Sequence, residues 1–250
     1  GAITYEWYPG VEGSTGTAVI YTPPGYNKDT SKNYPVFYLI SGTTDTEETF
    51  WKVGKTNLIL DNMIAEGKVK PMIVVMPYGN PLARIAEQSG IEKPADVMSR
   101  DGADALRRMK LFEDDLVKHL LPFVEKNYRV LPTRDNRAIA GFSRGGGQTL
   151  RIAFNHVDKF AYVCSYASYI SPAEMDKSFT HITDIPDKTN KDFKLLWSGI
   201  GTEDFLYKGT LEFENYLKEK QIAYKSYVTD GGHTWMNVKK YLFETLPLLF

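Results

Sequence analysis

Short apolar runs set off by turn-forming residues, with amphipathic stretches between them, form the pattern of this chain. Thr17 to Thr22 and Val36 to Ser41 read as strands, separated by the turn-rich Pro23-Pro24-Gly25 and Asn27 to Asn33. Met72 to Met76 is apolar throughout and closed by Pro77, which predicts a strand buried on both faces. The run Arg137-Ala138-Ile139-Ala140, then Phe160 to Tyr166, Phe193 to Ser198 and Ala223 to Thr229, supply further strands. Asn57 to Glu66 predicts a helix that ends at Gly67, where glycine suits a left-handed cap. Phe112, Leu116, Leu120, Phe123 and Val124 recur at helical spacing, with a kink expected at Pro122. Helices are also predicted from Gln148 to His156, Leu211 to Lys220 and Trp235 to Leu246.

Strands alternating with helices predict an α/β fold, a mostly parallel sheet covered on both faces. With no linker and no repeat, residues 1–250 read as one domain. Two segments, Tyr78 to Met109 and Ala167 to Asp192, read as irregular and too long for simple connectors. Both follow strands, on the side where such sheets bind ligands, and both are expected to line a substrate cleft.

Composition narrows the picture by exclusion. A formal net charge of -1 over 250 residues argues against nucleic acid or an anionic membrane as partner. The apolar stretches are strand length, so no transmembrane helix is predicted. A single cysteine, Cys164, permits neither an internal disulfide nor a cysteine-rich metal site. The chain starts at Gly1 without Met, so a trimmed signal peptide or neighbouring domain is expected.

Candidate chemistry centres on Gly141-Phe142-Ser143-Arg144-Gly145-Gly146-Gly147, placed between a strand and a helix. Gly-x-Ser-x-Gly in that context is the layout of a nucleophile elbow, a sharp turn that lifts the serine hydroxyl above the sheet. A serine hydroxyl needs a base to take its proton and an acid to orient the base, in the chain order nucleophile, acid, base. His119 and His156 fall on helices and His181 in the second irregular segment. His233 lies in the loop Asp230-Gly231-Gly232-His233-Thr234, between the last strand and the last helix, and is the candidate base. Asp204, leaving the strand that contains Trp197, is the candidate acid. Its neighbour Glu203 is the first competitor, Asp230 reads as a turn residue, and a helix cap is the structural alternative for Asp204.

The oxyanion hole should combine the N–H of Arg144 with that of Thr43, in the loop after the Val36 to Ser41 strand. Gly145-Gly146-Gly147 lacks the ending of a phosphate loop, and Gly199-Ile200-Gly201 lacks the third glycine of a dinucleotide fingerprint. No metal-ligand spacing is evident, and no cofactor is expected. The many Tyr and Trp residues, Trp235 among them as a substrate-binding candidate, suit stacking on aromatic acids or sugars and equally an ordinary core.

Ala140 to Leu150 resembles the elbow of feruloyl esterases in carbohydrate esterase family 1, relatives of esterase D and the antigen 85 mycolyltransferases. Further matches are Tyr21-Thr22-Pro23-Pro24-Gly25-Tyr26, Ala65-Glu66-Gly67-Lys68, Leu121 to Tyr128, Gly201 to Asp204 and Gly231 to Trp235. The resemblance implies an α/β-hydrolase fold with Ser143 as nucleophile, Asp204 as acid, His233 as base, and donors at Thr43 and Arg144. It implies hydrolysis of hydroxycinnamoyl esters of plant cell-wall polysaccharide by a secreted or periplasmic enzyme, in some cases one module of a larger protein. Alternatives are an acetylxylan, siderophore or short-acyl esterase, or a carbohydrate-binding pseudoenzyme. Two positions depart from the family pattern: Ser41-Gly42 replaces His-Gly, and Arg144 replaces a methionine. The Arg144 cation is expected to pair with Glu47 or Glu48, or else to bind a carboxylate or acidic sugar.

Overall fold

A computed structural model describes residues 1–90 and 103–250. Among these residues, eight strands form a single sheet in the order β1-β2-β4-β3-β5-β6-β7-β8. They are β1 (Ala2–Pro9), β2 (Thr15–Thr22), β3 (Val36–Ile40), β4 (Ile73–Pro77), β5 (Arg137–Phe142), β6 (Tyr162–Tyr166), β7 (Leu195–Gly201) and β8 (Lys225–Thr229). The β1–β2 and β2–β4 pairs are antiparallel and the remaining pairs parallel. This is the α/β-hydrolase arrangement that the sequence implied.

The interior strands are buried along their whole length because helices cover both faces. Alternate residues divide between two cores. Tyr38, Ile40, Ile139 and Val163 face one, with Phe112, Leu116 and Phe154. Phe37, Leu39, Ala140 and Cys164 face the other, with Leu60, Tyr241 and Leu242. The first core is closed by α4 (Ala103–Asp114), α6 (Arg144–Asn155) and α10 (Tyr207–Glu219), the second by α1 (Thr49–Lys52), α2 (Thr56–Ala65) and α11 (Trp235–Thr245).

The long amphipathic helix departs from α geometry just before Pro122, where the kink was expected. It runs from α4 through wide π-type turns at Asp115–Leu120 into α5 (Leu121–Asn127). Proline has no N–H, so it sits in the first turn of α5 and the wider turns before it absorb the mismatch.

The two segments read as irregular contain regular structure. α3 (Pro81–Gln88) lies in the first, together with the start of α4. The second holds three short helices, α7 (Pro172–Ser178), α8 (Thr180–Thr183) and α9 (Pro186–Asp192). His181 therefore belongs to α8, and its Nε2 contacts the Phe154 carbonyl at 2.8 Å. The part of the first segment from 91 to 102 lies outside the described residues.

Candidate active site

The loops after β3, β5, β7 and β8 leave the same end of the sheet, and each brings one part of the site. Ser143 is held between β5 and α6 at φ 56°, ψ −119°, a conformation costly for any residue with a Cβ. Its N–H donates to the Tyr166 carbonyl of β6 at 2.9 Å, and its own carbonyl accepts from Gly147 N–H at 3.0 Å. The flanking glycines make this turn sterically feasible. A Cβ on Gly145 would stand 2.2 Å from the Ile40 carbonyl oxygen, and one on Gly141 2.3 Å from Gly145. Gly145→Ala is therefore expected to destabilise the fold by about 1–3 kcal/mol, the usual cost of overpacking. A denaturant titration checks this, and a change within error would mean that β3 and α6 separate freely.

His233 stands between the rings of Phe142 and Phe205, each centroid 4.6 Å away. Its Nδ1 is 2.7 Å from Asp204 Oδ2, and the Asp204 side chain is fully buried. Asp204 Oδ1 also accepts the Leu206 N–H at 2.9 Å, so the carboxylate both caps the turn into α10 and holds the imidazole. A carboxylate acceptor at Nδ1 leaves Nε2 with its lone pair free. Asn237, which sequence reasoning missed, donates to Thr229 Oγ1 at 3.1 Å and to the Asp230 carbonyl at 2.8 Å, pinning the histidine loop.

The competing assignments find other places. Glu203 is exposed, and its N–H donates to the Gly231 carbonyl. Asp230 is exposed and paired with Lys240. His119 contacts the Pro9 carbonyl and His156 contacts Glu113, both remote in the fold from Ser143.

In the loop after β3, Gly42 N–H is bound to Asp45 Oδ2 at 2.9 Å. Among the described residues, neither Thr43 nor Arg144 has a hydrogen bond from its N–H. These two donors, flanking Ser143, are the ones predicted for the oxyanion. Asp45 gave no signal in the sequence, because its bond to Gly42 N–H and its place beside the Trp235 indole arise only from the folded loop. Burial raises the Asp45 pKa.

Arg144 does not pair with Glu47 or Glu48. Glu47 instead faces Arg84 at 3.5 Å, and Glu48 is bonded by Lys52. The Arg144 side chain reaches the loop after β3, where its Nη2 donates to the Gly42 carbonyl at 2.8 Å. Desolvation pushes its pKa down to about 10, which leaves the guanidinium charged at neutral pH.

Ser143 borders two cavities. One, of about 510 Å³, is lined by Gly42, Asp45, Phe142, Phe205, His233 and Trp235. Trp235 is half-buried there, against Phe142 and Phe50. The other, of about 220 Å³, is lined by Thr43, Arg108, Met109, Gln148, Ser168 and Phe205, among others. Met109 and Ser168 come from the two long segments. Among the described residues, no group of three His, Cys, Asp or Glu side chains could hold a metal, and no helix is long and apolar enough to cross a membrane.

The family described as "Putative esterase" matches residues 13–249. The chain belongs to this Esterase family. It is 36% identical over 157 residues to an endo-1,4-beta-xylanase/feruloyl esterase of Xylanibacter ruminicola, a match covering 60% of this chain and 19% of that protein. It is 25% identical over 276 residues to endo-1,4-beta-xylanase Y of Acetivibrio thermocellus, covering 100% of this chain and 23% of that protein. This esterase chain thus spans about a fifth of the length of these curated relatives. Among solved structures, a ferulic acid esterase of Anaeromyces mucronatus in complex with ferulic acid superposes with a TM-score of 0.81 at 22% identity, covering 100% of this chain and 90% of that one. At that identity the likeness is one of fold.

Proposed function

We propose that this esterase hydrolyses hydroxycinnamoyl esters of plant cell-wall polysaccharide through a covalent acyl-enzyme, as a carbohydrate esterase of family 1. Ser143 Oγ attacks the ester carbonyl while His233 Nε2 takes its proton. The tetrahedral oxyanion is received by the N–H groups of Thr43 and Arg144. His233 then gives the proton to the departing sugar oxygen, and water, activated by the same imidazole, releases the acid. Asp204 holds the imidazole tautomer and stabilises its cation. The observation that carries this reading is the buried Asp204–His233 pair, 2.7 Å long, beside a strained Ser143 that opens on the same cavity as His233.

The leaving oxygen must face His233, so the sugar belongs in the cavity lined by His233 and Trp235, and the acyl group in the one bordered by Met109 and Ser168. The half-buried Trp235 face offers a sugar platform. An apolar cavity of about 150 Å³ already holds a benzene ring. The 220 Å³ on the acyl side therefore favours an aromatic acid over acetate. A binding module without turnover would have no use for the strained serine or the His–Asp pair. The xylanase-containing relatives, several times longer than this chain, support its being one module of a larger polysaccharide-degrading protein. Polymeric xylan lies outside cells, so we place the enzyme outside the cytoplasm, secreted or periplasmic.

Turnover of methyl ferulate measured beside 4-nitrophenyl acetate tests the proposal. Ferulate release at a kcat/KM at least equal to that for the acetyl ester is expected. Acetate release alone would move the substrate to short acyl groups.

A further inference from the structure

The oxyanion loop is held from both sides, and one holder is a residue whose backbone is itself an oxyanion donor. Gly42 N–H is fixed by the Asp45 carboxylate at 2.9 Å, and Gly42 C=O by Arg144 Nη2 at 2.8 Å. Ser41 Oγ closes the same loop on the Thr46 carbonyl at 2.9 Å. A Cβ on Gly42 would stand 2.7 Å from Asp45 Oδ2, so the clamp depends on glycine here. The Gly42 carbonyl and the Thr43 N–H belong to one planar trans peptide and point in opposite directions. Whatever fixes the carbonyl therefore fixes the line along which Thr43 N–H points.

We infer that the Arg144 side chain is a positioning residue that aims the Thr43 N–H at the oxyanion, so that Arg144 governs both donors, one directly and one through Gly42. Two observations support this beyond the single bond. Among the described residues, no carboxylate lies within 4.0 Å of the guanidinium, so the Gly42 carbonyl is its main tether. Its Nε is buried without a partner, a cost accepted to keep the side chain folded over the loop. A guanidinium bonded to a carbonyl also polarises that peptide and strengthens its N–H as a donor.

The inference rests on the serine esterase reading but not on ferulate as substrate. The test therefore uses 4-nitrophenyl acetate turnover and the affinity of phenylboronic acid, which forms a tetrahedral adduct on an active serine. Arg144→Met should lower kcat on the order of 10–100-fold, somewhat less than outright loss of a donor. KM should stay within twofold. Phenylboronic acid should weaken by the same factor as kcat. Arg144→Lys, with an ammonium able to reach the same carbonyl, should recover part of both losses, which separates positioning from misfolding. Two results would overturn the inference. One is Arg144→Met with kcat and boronate affinity within twofold of wild type. The other is a loss confined to esters with a negatively charged acyl group, which would make Arg144 a reader of substrate charge. Failure on methyl ferulate alone would overturn only the substrate proposed above, since neither readout uses it.

Discussion

Ser143→Ala should lower ester turnover on the order of 10⁵–10⁶-fold, the scale on which losing the nucleophile acts in serine hydrolases. The fold should survive. The backbone bonds that build the elbow, from Ser143 N–H to Tyr166 and from Gly147 N–H to the Ser143 carbonyl, do not involve the hydroxyl. Alanine has the same Cβ, so it inherits the strain of φ 56° and neither gains nor loses much stability. Ser143→Gly should be as inactive but more stable, because the strain of such a backbone is of order 1–3 kcal/mol and glycine does not bear it. Paired measurements of turnover and chemical denaturation check both halves. Turnover within tenfold of wild type in Ser143→Ala would remove the nucleophile assignment. Equal stability of the alanine and glycine variants would mean that the elbow stores no strain.

Most of this site was legible in the sequence because it depends on short-range steric rules. Gly-x-Ser-x-Gly declares a turn that only glycine can flank, and the order Ser143, Asp204, His233 follows from strands that deliver loops to one end of a sheet. The elements that escaped notice are those whose residues say little locally. Among the described residues β1 is an edge strand paired with β2, and Trp7 on it is 63% exposed, so no clean alternation marks it. The helices α3 and α7 did leave a trace. Asn80 precedes Pro81 and Ser171 precedes Pro172, each a side-chain cap followed by proline in the first helical turn. Asp45, Asn237 and the Arg144–Gly42 bond left none, since each joins residues that only the folded loops bring together. The ion pair expected for Arg144 with Glu47 or Glu48 does not form, because its guanidinium is turned to the Gly42 carbonyl. The fold instead sets Glu47 against Arg84 and Glu48 against Lys52.

Asp204→Asn should cost about 10⁴ in kcat, the loss seen when an asparagine replaces the aspartate of such a triad. The geometry explains why the effect should be chemical rather than structural. Asparagine keeps the shape, and its carbonyl oxygen can still accept the Leu206 N–H, so the turn into α10 persists. What changes is the atom facing His233. Turning its oxygen to Leu206 leaves the amide NH₂ facing Nδ1 across 2.7 Å, a donor where a carboxylate stood. The imidazole must then carry its proton on Nε2, the nitrogen that should receive the Ser143 proton, and its cation loses a buried counter-charge. Glu203→Gln, at an exposed position whose N–H is bonded to Gly231, should change kcat less than twofold. Steady-state rates on 4-nitrophenyl acetate for the two variants decide the matter. A large loss in Glu203→Gln with activity retained in Asp204→Asn would transfer the orienting role one residue back along the chain. Comparable losses in both would point to the β7–α10 turn as a whole, with neither carboxylate acting on the imidazole directly.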